Sequence, residues 1–418
     1  MKGEIYLSKT IALAGTLDSK GKEFLYIKDV IESLGFSTLT INTGVFTAEF
    51  EPDISNAEVA KVAGRNIDEL AAKQDRAEAT EVLAAGMKTL LPRLYEQGKF
   101  DGVLSLGGTG GTSMVTPGMR ELPVGVPKVM VSTVASGNTQ PYVGTSDVMM
   151  IPSIVDVAGL NVISTKIFRN AVYAIVGMLD YKDKVKEDVK IDKKPLIAAT
   201  MFGLTTPCIN HAKNYLEDRG FEVLIFHATG IGGQTMENLI EEGFFDGVLD
   251  ITTTEWADEV VGGVLAAGPH RLEAAAKNNV PQVVSVGAMD MVNFGPYDSV
   301  PEKFVGRQFY KHNPTVTLMR TSQKENEEIG EVLSEKLNLT KDHTTVMFPL
   351  KGLSGLDVEG KDFYAPEADQ ALFDTIKKNI DGSKVELVEM DKDVNDPAFA
   401  EAAAEKLIQL IEKKKGES

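Results

Sequence analysis

Short apolar runs alternate along this chain with stretches whose apolar positions recur at helical spacing. Residues 11–14 read as a buried strand, after which Phe24, Ile27, Val30, Ile31 and Leu34 fall three or four apart and predict a helix that Gly35 stops. Strands are expected again at 38–41, 100–106, 126–131 and 148–151, with helices over 75–96 and 159–179. Between 47 and 75 the pattern weakens, and this stretch reads as an excursion with little helix of its own.

The order then repeats. A strand at 196–200 parallels the first, Phe100-Asp101-Gly102-Val103-Leu104 returns as Phe245-Asp246-Gly247-Val248-Leu249, and Val126-Pro127 returns as Val280-Pro281. Strands at 315–319, 344–348 and 385–388 follow, with helices near 324–337, 367–379 and 397–414. Strands alternating with helices predict an α/β fold with parallel sheets. The echoes make it two Rossmann-like domains related by an internal repeat, 1–190 and 191–418. Residues 181–194 carry dense alternating charge and read as the linker.

The chain's 418 residues suffice for two cores, and 43% hydrophobic with 25% charged residues is a globular composition. A net charge of −18 argues against a nucleic-acid or anionic-membrane partner. No apolar run is long enough for a membrane span and the first residues lack a signal-peptide pattern, so the expected compartment is the cytoplasm. The single cysteine, Cys208, fits a reducing compartment. In Thr206-Pro207-Cys208 it is either a thiol at a helix N-terminus or a small buried apolar group.

The densest chemical signal is Gly107-Gly108-Thr109-Gly110-Gly111-Thr112 after the strand at 100–106. Glycines there let backbone N–H groups approach a phosphate, or serve only a tight strand-to-helix turn. The lysine of a Walker loop is missing, as is the dinucleotide fingerprint. The second half has Thr252-Thr253-Thr254-Glu255 instead, which repels phosphate, so one site in the first domain is expected.

Loops after parallel strands gather at one sheet edge. That edge brings Gly15, Thr16, Leu17 and Asp18, then Thr43, then Thr133, to the glycine run. Asp18 could meet a ribose hydroxyl, hold a metal or cap a helix, and Lys20 could pair with phosphate. In the second domain His227, Glu255 and Asp290 are expected to converge as an acid/base or metal group.

These runs, with Gly15-Thr16-Leu17-Asp18-Ser19-Lys20-Gly21, Val143-Gly144-Thr145-Ser146-Asp147, Thr205-Thr206-Pro207-Cys208 and His312-Asn313-Pro314, resemble the bacterial and plant family of ATP-binding domains typified by the amino-terminal region of the tomato mosaic virus resistance protein. The resemblance spans nearly the whole chain and implies ATP in the first domain and a homodimer. It places nucleotide contacts on Gly15, Thr16, Leu17, Asp18, Thr43, Gly107, Gly108, Thr109, Gly110, Gly111, Thr112 and Thr133. The expectation is an ATP-binding protein acting on a small molecule in the cleft between its domains, with Mg²⁺ on Asp18 or Asp147. The rivals are a non-catalytic nucleotide-stabilised dimeric module, and a hydrolase or lyase of a small phosphorylated acid.

Overall fold

A computed structural model describes residues 9–181 and 194–417, and the chain divides into two compact units, Met1–Lys190 and Ile191–Ser418. Most of the expected linker, 182–193, lies outside the described residues.

In the first unit the strands are β1 Thr10–Gly15, β2 Ser37–Asn42, β3 Gly102–Gly107, β4 Lys128–Ser132 and β5 Met149–Pro152. The helices are α1 Gly21–Ser33, α2 Asn56–Val62, α3 Ile67–Lys73, α4 Arg76–Glu96, α5 Thr109–Arg120, α6 Gln140–Val143 and α7 Ser164–Tyr181. The sheet runs β2-β1-β3-β4-β5, and every pairing is parallel. Both faces are covered, which is why β1 is apolar at successive positions. Ile11 and Leu13 pack with Leu104, Val129 and the α1 and α7 side chains Phe24, Ile27, Phe168 and Val172. Ala12 and Ala14 face α4 and α5 through Leu83, Met87, Leu91, Val115 and Met119. The strand order reverses between β1 and β3, the switch point where such sheets bind ligands.

The stretch 47–75 corrects the expectation of little helix, because it holds α2 and α3. Ser55 and Glu58 form a reciprocal capping box at α2, and the Asn66 side chain caps α3. Both helices are seven residues long, too short for their periodicity to stand out.

In the second unit β6 Leu196–Met201, β7 Glu222–His227, β8 Gly247–Thr252 and β9 Gln282–Gly287 repeat the first. After them come β10 Met291–Phe294, β11 Phe309–Asn313, β12 Val316–Arg320, β13 Thr344–Pro349 and β14 Val385–Met390. Its helices are α8 Thr206–Glu217, α9 Ile231–Glu241, α10 Glu255–Val261, α11 Ala274–Lys277, α12 Gln323–Leu337, α13 Pro366–Asn379 and α14 Pro397–Glu417. The main sheet runs β14-β13-β9-β8-β6-β7 and is parallel throughout. The repeat extends to single hydrogen bonds. Thr10 N donates to Asp101 Oδ2 at 2.8 Å, and Leu196 N donates to Asp246 Oδ2 at 2.8 Å. Val103 N and Val248 N each donate to the carbonyl of the proline before the next strand, at 2.9 Å. A departure from parallel order is the antiparallel sheet β10-β12-β11, inserted before α12.

Candidate phosphate cradle and buried charge networks

The glycine run is the start of a helix. Its N-cap is Gly108, with φ −81° and no side chain to cap, and the first bonded helical amide is Thr112 N, which donates to the Gly108 carbonyl at 3.0 Å. The amides of Thr109, Gly110 and Gly111 precede it, and such amides have no partner within their own helix. Nothing in the fold requires glycine at 108: its φ is ordinary, and an added Cβ would meet only Thr133 Oγ1, at 3.7 Å. A serine or aspartate there would cap α5, so glycine keeps the helix end open. Gly118 is different, since a Cβ there would come within 2.6 Å of the Met87 carbonyl where α5 crosses α4.

A cavity of about 680 Å³ lies over this helix end. Thr16, Asp18 and Lys20 border it on one side, Gly108 to Gly111 on another, and Arg76 on a third. Lys20 and Arg76 have no side-chain hydrogen bond or ion pair among the described residues, and Arg76 Nη2 lies 3.3 Å from where a Cβ on Gly110 would stand. Arg76 is the first residue of α4, where the helix dipole opposes a cation. An anion in the cavity would relieve that opposition. Arginine in a first helical turn was the sequence signal for this residue, and the reading by strand-end loops passed over it.

Other expected contacts take different places. Thr16, Asp18, Gly108, Thr109, Gly110 and Gly111 border the cavity. Leu17 belongs to the core, and Gly15 is packed so that a Cβ would strike the Phe24 ring. Gly107 ends the buried strand β3 and sits against Gly111. The Thr112 hydroxyl points inward to Ser132 Oγ at 2.6 Å. Thr43 is fully buried, and its hydroxyl has no hydrogen-bond partner. Thr133 stands beside Gly108 with its side chain exposed. Asp18 does not cap α1, whose N-cap is Lys20; it accepts a hydrogen bond from Phe46 N at 3.0 Å. Asp147 is corrected as a metal ligand for this site. It pairs with buried Lys128 at the amino end of β4, the opposite sheet edge. Burial opposes its charge, but the Lys128 ammonium and the Gly125 amide hold its carboxyl below the usual range.

The second unit carries a carboxylate at the equivalent position of its sequence. With Gly102 set against Gly247, Gly110 falls opposite Glu255. Glu255 Oε1 accepts from Gly230 N at 2.7 Å and Gly233 N at 3.1 Å, at the start of α9, and Oε2 accepts from Arg271 Nε at 2.7 Å. Arg271, 1% exposed, also holds Asp250 through two nitrogens at 2.5 and 2.7 Å and Glu237 at 3.1 Å. Burial pushes the Glu255 and Glu237 carboxyls up, with the guanidinium opposing.

The side chains of His227, Glu255 and Asp290, expected to converge, share no hydrogen-bond or ion-pair partner among the described residues. Asp290 Oδ2 accepts from Ser354 Oγ at 2.8 Å, in a set that includes Arg320, Asp357 and Asp369 and shares no member with the partners of Glu255. Asp290 lies in the turn between β9 and β10. His227 ends β7 with an exposed side chain. Cys208 is the small buried group: burial and then Asp393 push its thiol up to about 12.

Asp258 gives this unit a pH dependence. Burial raises its carboxyl from 3.8 to about 7, against hydrogen bonds from Asn293 and Leu265. The folded state therefore keeps a proton that the unfolded chain loses above about pH 4. Stability falls as pH rises from there to about 7 and then levels off. Glu273, depressed to about 2 beside Lys277 and Lys336, loses its contribution only below about pH 4.5, so it does not change between pH 5 and pH 8. The melting temperature is expected to rise on going from pH 8 to pH 5. Asp258→Asn should reduce that rise, as read by calorimetry at matched ionic strength; an unchanged slope would count against this role.

Among the described residues no helix is long and apolar enough to cross a membrane. A Clostridium tetani protein described as "UPF0261 protein" is 54% identical over 97% of this chain and 100% of its own length. The tomato protein "ToMV resistance protein Tm-1(GCR237)" is 42% identical over 81% of this chain, which is 45% of the tomato protein. Among solved structures, a UDP-N-acetylglucosamine 2-epimerase from Rickettsia bellii aligns over 98% of this chain and 97% of its own, at 14% identity and a TM-score of 0.23, too loosely to bear on function. Residues 9–184 match the N-terminal domain and 194–411 the C-terminal domain of the uncharacterised protein family UPF0261, and the chain belongs to that family.

Proposed function

We propose that the first unit binds the phosphates of ATP at the amino end of α5. The observation that carries this reading is one cavity bordered by an uncapped helix start and by two cations, Lys20 and Arg76, that have no side-chain partner among the described residues. Backbone amides at a helix start and two nearby cations suit a polyphosphate, because its charge is spread over many oxygens. A Mg²⁺ ion accompanying it would find Asp18 and Asp156 on the cavity wall. The second unit has Glu255 in the corresponding position, which supports one phosphate site per chain.

Arg76 supplies the test. Its side chain is exposed, so Arg76→Ala should leave the melting temperature nearly unchanged. Removing a charge-assisted contact worth roughly 1.5–3 kcal/mol should weaken ATP binding about tenfold or more in a calorimetric titration. Equal affinity in both proteins would remove Arg76 from the site.

A further inference from the structure

We propose that Phe46 is the platform on which the base of the nucleotide lies, an inference that rests on the phosphate reading above. Phe46 borders the same cavity as the α5 helix start, and it also borders an adjoining cavity of about 500 Å³ that shares Val45 and Ala71 with the first. Phe46 is 61% exposed. An exposed phenylalanine alone says little, since single apolar side chains are common on surfaces. The backbone that carries this one is what sets it apart.

Phe46 N donates to Asp18 Oδ2 at 3.0 Å, and its carbonyl accepts from Asn56 Nδ2 at 3.2 Å and Asn42 Nδ2 at 3.4 Å. Asn56 also holds the Gly44 carbonyl at 2.8 Å, and Asn42 Oδ1 accepts from Gly44 N at 2.8 Å and Leu17 N at 3.1 Å. At Gly44 a Cβ would stand 2.3 Å from Asp18, so the loop closes tightly on that carboxylate. Three polar side chains, Asp18 from the loop after β1, Asn42 at the end of β2 and Asn56 at the start of α2, thus fix a backbone whose aromatic ring is left bare. A held ring costs no loop ordering when a planar group settles on it. Stacking discriminates weakly between bases, because every base presents a π-face. The ligand class is therefore a nucleoside polyphosphate, with the phosphates at Gly108 to Gly111 and the base over Phe46.

Titrations of ATP and of inorganic triphosphate into wild type, Phe46→Ala and Phe46→Trp separate the two parts of the site. Loss of base stacking should weaken ATP binding to Phe46→Ala by roughly tenfold to a hundredfold. Triphosphate should bind all three proteins alike, and Phe46→Trp should keep the wild-type affinity for ATP. Unchanged ATP affinity in Phe46→Ala, or a parallel loss of triphosphate, overturns the platform while leaving the phosphate site standing. Wild type that binds neither ligand overturns the phosphate reading and the platform with it.

Discussion

Gly108→Asp is expected to cost about three orders of magnitude in ATP affinity while leaving the folded protein intact. Gly108 has an ordinary φ and room for a Cβ, so the substitution meets no backbone strain and no packing conflict. An aspartate at the N-cap accepts from the first helical amides and is among the preferred residues there, so α5 should become slightly more stable. The same carboxylate then lies where the account puts a phosphate oxygen. Two like charges about 4 Å apart at an effective dielectric near 20 repel by about 4 kcal/mol, roughly a thousandfold in binding. The melting temperature without ligand should stay the same or rise by a degree or two, whereas the rise caused by ATP should vanish. A variant that binds ATP as tightly as wild type would place the nucleotide elsewhere.

Arg271→Met should have the largest effect on stability in the second unit. Arg271 is the cation shared by three buried carboxylates, Asp250, Glu255 and Glu237. Removing one partner of a buried ion pair costs about 3–5 kcal/mol, because the charge left behind is uncompensated. For a unit of this size that corresponds to a fall in melting temperature on the order of 10 °C. The loss should be smaller at pH 5 than at pH 8, since carboxyls already pushed up by burial take protons more readily as the pH falls. Adding Asp250→Asn to Arg271→Met should recover part of it. A melting temperature within 2 °C of wild type would mean that the network contributes little. The Glu255 carboxylate also closes the helix start at Gly230 and Gly233, so its role is structural and the second unit carries no vacant cradle there.

How far the sequence reading reached depends on the range of each interaction. The repeat was legible because the consecutive residues around Asp101 return around Asp246, although the hydrogen bonds these aspartates make reach 91 and 50 residues back along the chain. The glycine run was legible as a candidate phosphate site because its chemistry lies in consecutive residues. Arg271 was not, since its carboxylate partners are 16, 21 and 34 residues away and no spacing rule joins them. Asp290 falls in the turn after β9, as its position in the sequence suggested, but the antiparallel insertion that follows it was not legible, because apolar periodicity alone does not distinguish such strands from further parallel ones. The helix that Ser55 and Glu58 cap was missed because it is too short for its periodicity to stand out. Thr112 shows the finer limit: a hydroxyl in the first helical turn can face the ligand or the sheet, and here it faces Ser132.

The most direct measurement is a crystal structure of the protein with a non-hydrolysable ATP analogue, read for the position of the phosphates. The account predicts phosphate oxygens within hydrogen-bonding distance of the Thr109, Gly110 and Gly111 amides, with the Lys20 and Arg76 side chains turned onto them. Phosphates bound away from the start of α5, or an analogue held only by the second unit, would contradict it.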